Sequence, residues 1–237
     1  MRLIILVLIS VFLTNCEDSK SSKQKTVPVK DSVKLKKPIE KTLKDTVVTP
    51  KRTYPLLTDK NAMDFFLEYN KEHKENKVRI KTDFGDIEIL LFKETKFHRS
   101  NFIFLTKQNY FDNTQFYRIV NNFIIQGGNS DNRKVLNKRK KIGKYLLPTD
   151  TKRGFKHVRG VISMPSSEIE NPHKLASPYE FFIVQAKNGA PHLDGDFTIF
   201  GKVTKGMNVV DEIAKQKTDK AEWPLHNVYI RKVEIIE

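Results

Sequence analysis

One cysteine, Cys16, and one tryptophan, Trp223, occur in 237 residues. A single thiol excludes an intramolecular disulfide. The six histidines are His73, His98, His157, His173, His192 and His226, and none pairs with another His or Cys at metal-ligand spacing, so no metal site is expected. There is no P-loop, no Gly-x-Ser-x-Gly elbow, no dinucleotide fingerprint and no internal repeat. These absences argue against nucleotide-driven chemistry, an α/β-hydrolase and a solenoid. A hydrolase using Ser163 or Ser166 with one of the histidines stays open, without local support. Acidic residues are scarce, 28 against 43 Lys and Arg, for a net charge of +15. That balance suits an anionic partner such as an acidic surface, anionic lipid or nucleic acid. The competing reading places the excess in a tail and one loop, where it serves only solubility. No apolar run reaches the ~20 residues that span a bilayer comfortably.

What is present begins at the N-terminus. Arg2 precedes the apolar run Leu3 to Leu13, interrupted only by Ser10. A positive start and a short apolar stretch predict a signal peptide over residues 1–15. The stretch ends in Leu13-Thr14-Asn15-Cys16, which resembles a bacterial lipobox; Asn15 is a looser fit than the usual Gly or Ala. The resemblance implies a lipidated Cys16 as the mature N-terminus and a place in the bacterial cell envelope, on the periplasmic face or the cell surface. The alternative is a short uncleaved anchor with an incidental Cys. Several acyl chains would hold the protein on a membrane far more firmly than one. The rest of 16–55 has no sustained period and carries eleven basic against five acidic residues, a charge of about +6. Such a segment predicts a flexible basic tether.

Residues 56–77 predict a helix, with Thr58 or Asp59 as N-cap and Met63, Phe66, Leu67 and Tyr69 on one face. Val78 to Thr82 alternates apolar and polar residues, Asp83-Phe84-Gly85-Asp86 can turn, and Ile87 to Leu91 continues as a strand. His98 to Lys107 reads as a helix. Strand-like runs follow at Gln115–Val120, Phe123–Gln126, Gly160–Met164, Phe181–Gln185 and Thr198–Val203. Met207 to Ala214 reads as a helix and Val228 to Ile236 as a closing strand. Many short strands with few helices fit a barrel or sandwich. Periodicity alone supports only a mostly β domain.

The segment Phe116-Tyr117-Arg118-Ile119-Val120-Asn121-Asn122-Phe123-Ile124-Ile125-Gln126-Gly127-Gly128 resembles the signature of the cyclophilins. Three further blocks agree in order and spacing. Lys81 to Gly85 leads on to Asn101-Phe102. Gly160-Val161-Ile162-Ser163-Met164 precedes Glu180-Phe181-Phe182-Ile183. Leu193-Asp194-Gly195 precedes Phe200-Gly201-Lys202-Val203. The resemblance implies a closed eight-stranded antiparallel barrel over 78–237, capped by two helices, with the 56–77 helix as an addition. It also implies peptidyl-prolyl cis/trans isomerisation without a cofactor, acting on Pro-containing segments of exported proteins. A monomer is the expected state, and with an export signal and no recognisable binding motif, no nucleic-acid partner is expected.

The chemistry asks little. An amide C–N bond turns over a barrier of about 18–20 kcal/mol because of its double-bond character. A catalyst need only hold the ring and favour the twisted state, whose nitrogen becomes a better hydrogen-bond acceptor as resonance is lost. The resemblance makes Arg118 the donor to that nitrogen; an always-charged planar cation suits the task. It makes Gln126 the residue that orients Arg118 and contacts the substrate backbone, and makes Phe123, Ile124, Phe182 and Leu193 the walls of the proline pocket. By composition alone, each of those four could be plain core. Met164, Pro165, Ser166, Glu180, His192, Phe197 and Tyr117 complete the expected substrate contacts, several of them departures from the family pattern. Tyr117 and Phe197 stand where His is common. Ser166 replaces an Asn, Pro165 brings no N–H donor, and Glu180 replaces a Gln with a charge able to pair with Arg118 or repel acidic peptides. His192 takes the place of a Trp that binds cyclosporin, which implies weak drug binding. Two loops look enlarged: Glu168–Leu175 and the basic Asn129–Asp150. The basic loop either binds acidic clients, lipid headgroups or polyanions, or is simply solvated. The competing functions are a binding module that captures Pro-containing segments with little turnover, and a structural tether in a surface complex.

Overall fold

The computed structural model describes residues 52–166 and 171–237. The expected signal peptide, Cys16, all but the end of the tether, and part of the Glu168–Leu175 loop lie outside the described residues. The elements run β1 (Leu57–Thr58), α1 (Ala62–Glu72), β2 (Lys77–Thr82), β3 (Gly85–Leu91), α2 (Lys96–Lys107), β4 (Thr114–Val120), β5 (Ile124–Asn129), α3 (Arg133–Ile142), β6 (Gly143–Lys144), β7 (Val161–Ser163), β8 (Phe181–Val184), a 3-10 turn (Pro191–Leu193), β9 (Ile199–Lys205), α4 (Met207–Ala214) and β10 (Val228–Ile235).

Eight strands close into a barrel in the order β10-β2-β3-β9-β7-β8-β5-β4, each antiparallel to its neighbours. Closure leaves the barrel itself without an open strand edge. In β2 the alternation predicted from sequence holds: Val78 and Ile80 are fully buried while Arg79 and Lys81 lie outside. Helices α2 and α4 cap the barrel. They bury Phe102, Ile103, Phe104 and Leu105 from the first, and Val209, Val210 and Ile213 from the second, in the main core.

Strands β5 and β8 are apolar on both faces, and their residues divide by the two-residue period of a pleated strand. Ile125, Phe181 and Ile183 point into the main core. Ile124, Phe182 and Val184 belong to a second apolar cluster with Val161 and Ile199. The continuous run Phe181-Phe182-Ile183 is thus a strand covered on both sides.

The N-terminal addition differs in detail from its prediction. Helix α1 starts only at Ala62, because Thr58 is taken into the two-residue parallel pairing of β1 with β6. Asn61 closes the intervening turn, its side chain accepting from Thr58 N at 2.8 Å. Phe65, not Leu67, turns inward, packing edge-on to Phe104 at 5.1 Å, while Leu67 is exposed. The enlarged basic loop is also corrected: its centre is helix α3. Asn132 caps it by accepting from Lys134 N, and Val135 and Ile142, seven apart, are buried under a shell of Lys and Arg. Lys and Arg are good helix formers, but three apolar residues in ten, of which Leu136 is exposed, leave little periodic signal.

Candidate functional site

Two irregularities in the β4–β5 ladder set up the site. Phe116 pairs with Gly127 and Arg118 with Gln126, so Tyr117 is an extra residue on β4. Such a bulge lets neighbouring side chains escape strict alternation. Phe116 goes into the core, whereas Tyr117 and Arg118 both remain half-buried. On the other strand Gln115 pairs with Asn129, which makes Gly128 the extra residue, at φ +99°. A Cβ there would lie 2.5 Å from the Tyr179 carbonyl oxygen, so only glycine fits. The β4–β5 turn closes with Phe123 N donating to Val120 O at 3.0 Å and Asn122 at φ +57°, which Asn tolerates, and it delivers Phe123 to the rim.

Across neighbouring strands Arg118 stands opposite Gln126, and Gln126 opposite Phe182. A cation, an amide and an aromatic ring therefore share one outer face of the barrel. Phe182 meets Phe197 edge-on at 5.8 Å, and Ile124, Phe123, Leu193 and Phe197 gather in the same second cluster. Phe123 and His192 stack at 5.2 Å. Of the expected pocket walls, all four are together.

Other expected roles are corrected. Gln126 does not hold Arg118; its amide donates to the Tyr117 hydroxyl. Tyr117 in turn donates to Glu180 Oε2 at 3.1 Å, and Asn129 donates to Glu180 Oε1 at 2.8 Å. Burial, and then the Glu180 charge, push the Tyr117 phenol far up, so it stays protonated. The carboxylate on Arg118 is that of Glu222, at 2.6 Å from Nε. Met164 turns into the main core and is 1% exposed, so its side chain is not on the site face. Pro165 is buried, its carbonyl accepting from Ser177 N at 2.9 Å, and Ser166 pairs with Ala176 in a β-bridge.

Sequence reasoning missed Glu222 and Trp223. They sit on the loop after α4, 104 residues from Arg118 in the case of Glu222, with no motif to mark them. Trp223 lies 5.8 Å from the Tyr117 ring and is half exposed. With Tyr117, Gln126, Glu180, Leu136 and Arg139 it lines a cavity of about 470 Å³ beside the arginine. A larger cavity of about 790 Å³ between α1 and α2 contains none of the expected site residues.

The structure also brings together Asp194, His157 and Ser163. Asp194 Oδ1 is 2.9 Å from His157 Nδ1, and His157 Nε2 is 3.2 Å from Ser163 Oγ. The order is that of a hydrolytic triad, yet Ser163 is fully buried and donates to the Thr198 carbonyl at 2.8 Å. No substrate reaches it. The His157 ring instead lies parallel to Phe182 at 6.0 Å and backs the apolar cluster.

Barrel, caps and outer-face cluster define a class, and the comparisons agree with it. Residues 77–235 match the family model described as "Cyclophilin type peptidyl-prolyl cis-trans isomerase/CLD". The chain belongs to the cyclophilin-type peptidyl-prolyl cis-trans isomerase family. It is 34% identical over 145 residues to a peptidyl-prolyl cis-trans isomerase of Acinetobacter baylyi, covering 60% of this chain and 73% of that one. It is 32% identical to CYP18-2 of Arabidopsis thaliana, covering 68% and 93%. Against the isomerase-like 2 protein of Rhizopus delemar the identity is 34%, but the match spans only 30% of that longer protein. Among solved structures, a Cryptosporidium parvum cyclophilin is similar with TM-score 0.58 and 28% identity over 69% of this chain and 98% of that chain. The same protein has been solved in the presence of the dipeptide Ala-Pro, with TM-score 0.57.

Proposed function

We propose that this domain catalyses cis/trans isomerisation of X-Pro bonds in exported proteins, with Arg118 donating to the prolyl imide nitrogen. One observation carries the reading: a cation whose Nη groups make no hydrogen bond among the described residues shares a face with an apolar cluster. Phe123, Ile124, Phe182 and Leu193 receive the proline ring, and the guanidinium meets the nitrogen as its resonance is lost. Gln126 and Tyr117 contact the flanking backbone. The enzyme is held at the bacterial envelope by lipidated Cys16. Support for that is the signal sequence, the lipobox-like Leu13-Thr14-Asn15-Cys16 and the basic tether. Its clients are Pro-containing segments of proteins that cross the same membrane.

The test is isomerisation of a short X-Pro peptide by the full chain in detergent, beside Arg118→Ala. Loss of about 10²–10³ in kcat, the usual cost of removing one transition-state donor, is the expected result. A folded wild-type chain with no rate above background sinks the reading. That result would favour the second one, capture of Pro-containing segments with little turnover, for which the cavity rimmed by Trp223 and Leu136 is the supporting observation.

A further inference from the structure

We propose that Glu222 is a positioning residue for Arg118, and that the loop carrying it is a working part of the site. The inference rests on Arg118 being the catalytic donor.

Glu222 holds β4 twice. Its carboxylate accepts from Arg118 Nε at 2.6 Å, and its main-chain carbonyl accepts from the N–H of the next residue, Ile119, at 2.9 Å. One residue thus fixes both the strand and the side chain that projects from it. The loop is itself braced. Asp219 Oδ1 accepts from Ala221 N at 2.8 Å and Trp223 N at 3.0 Å. Asp219 N donates to Trp223 O, and Leu225 N to Lys217 O, each at 2.8 Å. Glu222 sits at its bend with φ +66°, a conformation uncommon for a residue with a side chain. Backbone held this way at a candidate site motivates a functional reading.

The contact is made through Nε alone. Neither Nη of Arg118 has a hydrogen-bond partner among the described residues, so the outer edge of the guanidinium stays available while its plane is fixed. Both side chains are more than a third exposed, so the pair adds little to stability, and its effect lies in geometry. In the family resemblance the orienting role falls to Gln126, but here its Nε2–H donates to Tyr117 and the hydrogen bond Arg118 makes among the described residues is to Glu222. The neighbouring Trp223 adds a wall against Tyr117 from the same loop.

Steady-state kinetics on an X-Pro peptide with the full chain in detergent test this. The variants are Glu222→Gly, Glu222→Asn, Glu222→Gln and Arg118→Ala. Gly and Asn both suit φ +66° and neither reaches Nε, so the bend is kept while the contact is lost. Each is expected to lower kcat about tenfold with KM within twofold, a typical effect of misplacing a catalytic group. Glu222→Gln keeps an acceptor for Nε and is expected to recover most of the rate. The Arg118 Nε–H resonance, protected in wild type and in Gln, is expected to lose protection in Gly and Asn. Should Gly fail to fold, Asn carries the comparison. Wild-type or faster turnover in the Gly and Asn variants overturns the inference, since a carboxylate that merely competed with substrate would act as a brake. Loss shared equally by Gln also overturns it. An inactive wild type brings down the isomerase reading itself, whereas an active wild type, an inactive Arg118→Ala and an unaffected Glu222→Gly bring down only the positioning role.

Discussion

Asp194 Oδ1 accepts two hydrogen bonds from a single residue, the main-chain N–H of His157 at 2.8 Å and its ring Nδ1–H at 2.9 Å. Burial tends to raise the Asp194 carboxyl, but these bonds and Lys156 outweigh it and hold the group below its ordinary value. The double contact ties the segment before β7 to the turn bearing His192 and Leu193. Asp194→Ala is expected to cost about 1–3 kcal/mol, because it strands buried donors, and to raise KM by loosening Leu193. Urea unfolding and peptide kinetics check both; unchanged midpoint and KM would show that the turn holds itself.

His98 on α2 is buried with neither ring nitrogen hydrogen-bonded among the described residues. Burial lowers its pKa to about 4, with Asp150 opposing weakly. The unfolded chain takes up this proton near pH 6.5, the folded chain only near pH 4. The stability contribution of neutral His98 is therefore complete above pH 6.5 and is lost as pH falls from there towards 4. The loss amounts to about 3 kcal/mol. His98→Leu is expected to flatten the stability profile over that window, measured by denaturant unfolding at pH 7 and pH 4.5. Parallel profiles for the two proteins would contradict this.

Much of this was legible from sequence, for identifiable reasons. The β2 alternation and the α4 pattern around Val209, Val210 and Ile213 report on local spacing, whereas the Phe116–Gly128 motif was legible as a family likeness. Even the co-location of Arg118, Phe182 and Leu193 followed from the family likeness. What escaped were pairings whose partners are far apart in sequence and carry no pattern. Glu222 reaches Arg118 from another loop, β1 pairs with β6 through two residues each, and α3 hides two buried positions among cations. Gln126 has a partner other than the one expected, because the likeness supplies a role, while Tyr117, standing where the family pattern has His, puts a hydroxyl within reach of the Gln126 amide.

Gly128→Ala tests the β5 irregularity. The left-handed φ and the 2.5 Å approach to Tyr179 O together demand a backbone shift. A cost of about 2–4 kcal/mol is expected, seen as a Tm lower by roughly 5–10 °C for a domain of this size. Full stability in the alanine variant would mean that Tyr179 yields freely.

Cys16→Ser addresses the anchor. The full chain is expected in the membrane fraction and the serine variant in the soluble fraction, while peptide isomerisation by the two is equal. Continued membrane association of the serine variant, resistant to high salt, would point to an uncleaved apolar anchor instead.

The apolar cluster proposed to receive proline lies on the barrel's outside, separated from the main core by the thickness of one sheet. A catalyst on a convex wall needs no gate. A polypeptide of any length can lie across it without threading an end, and a proline deep within a long, partly folded client is as accessible as one in a dipeptide.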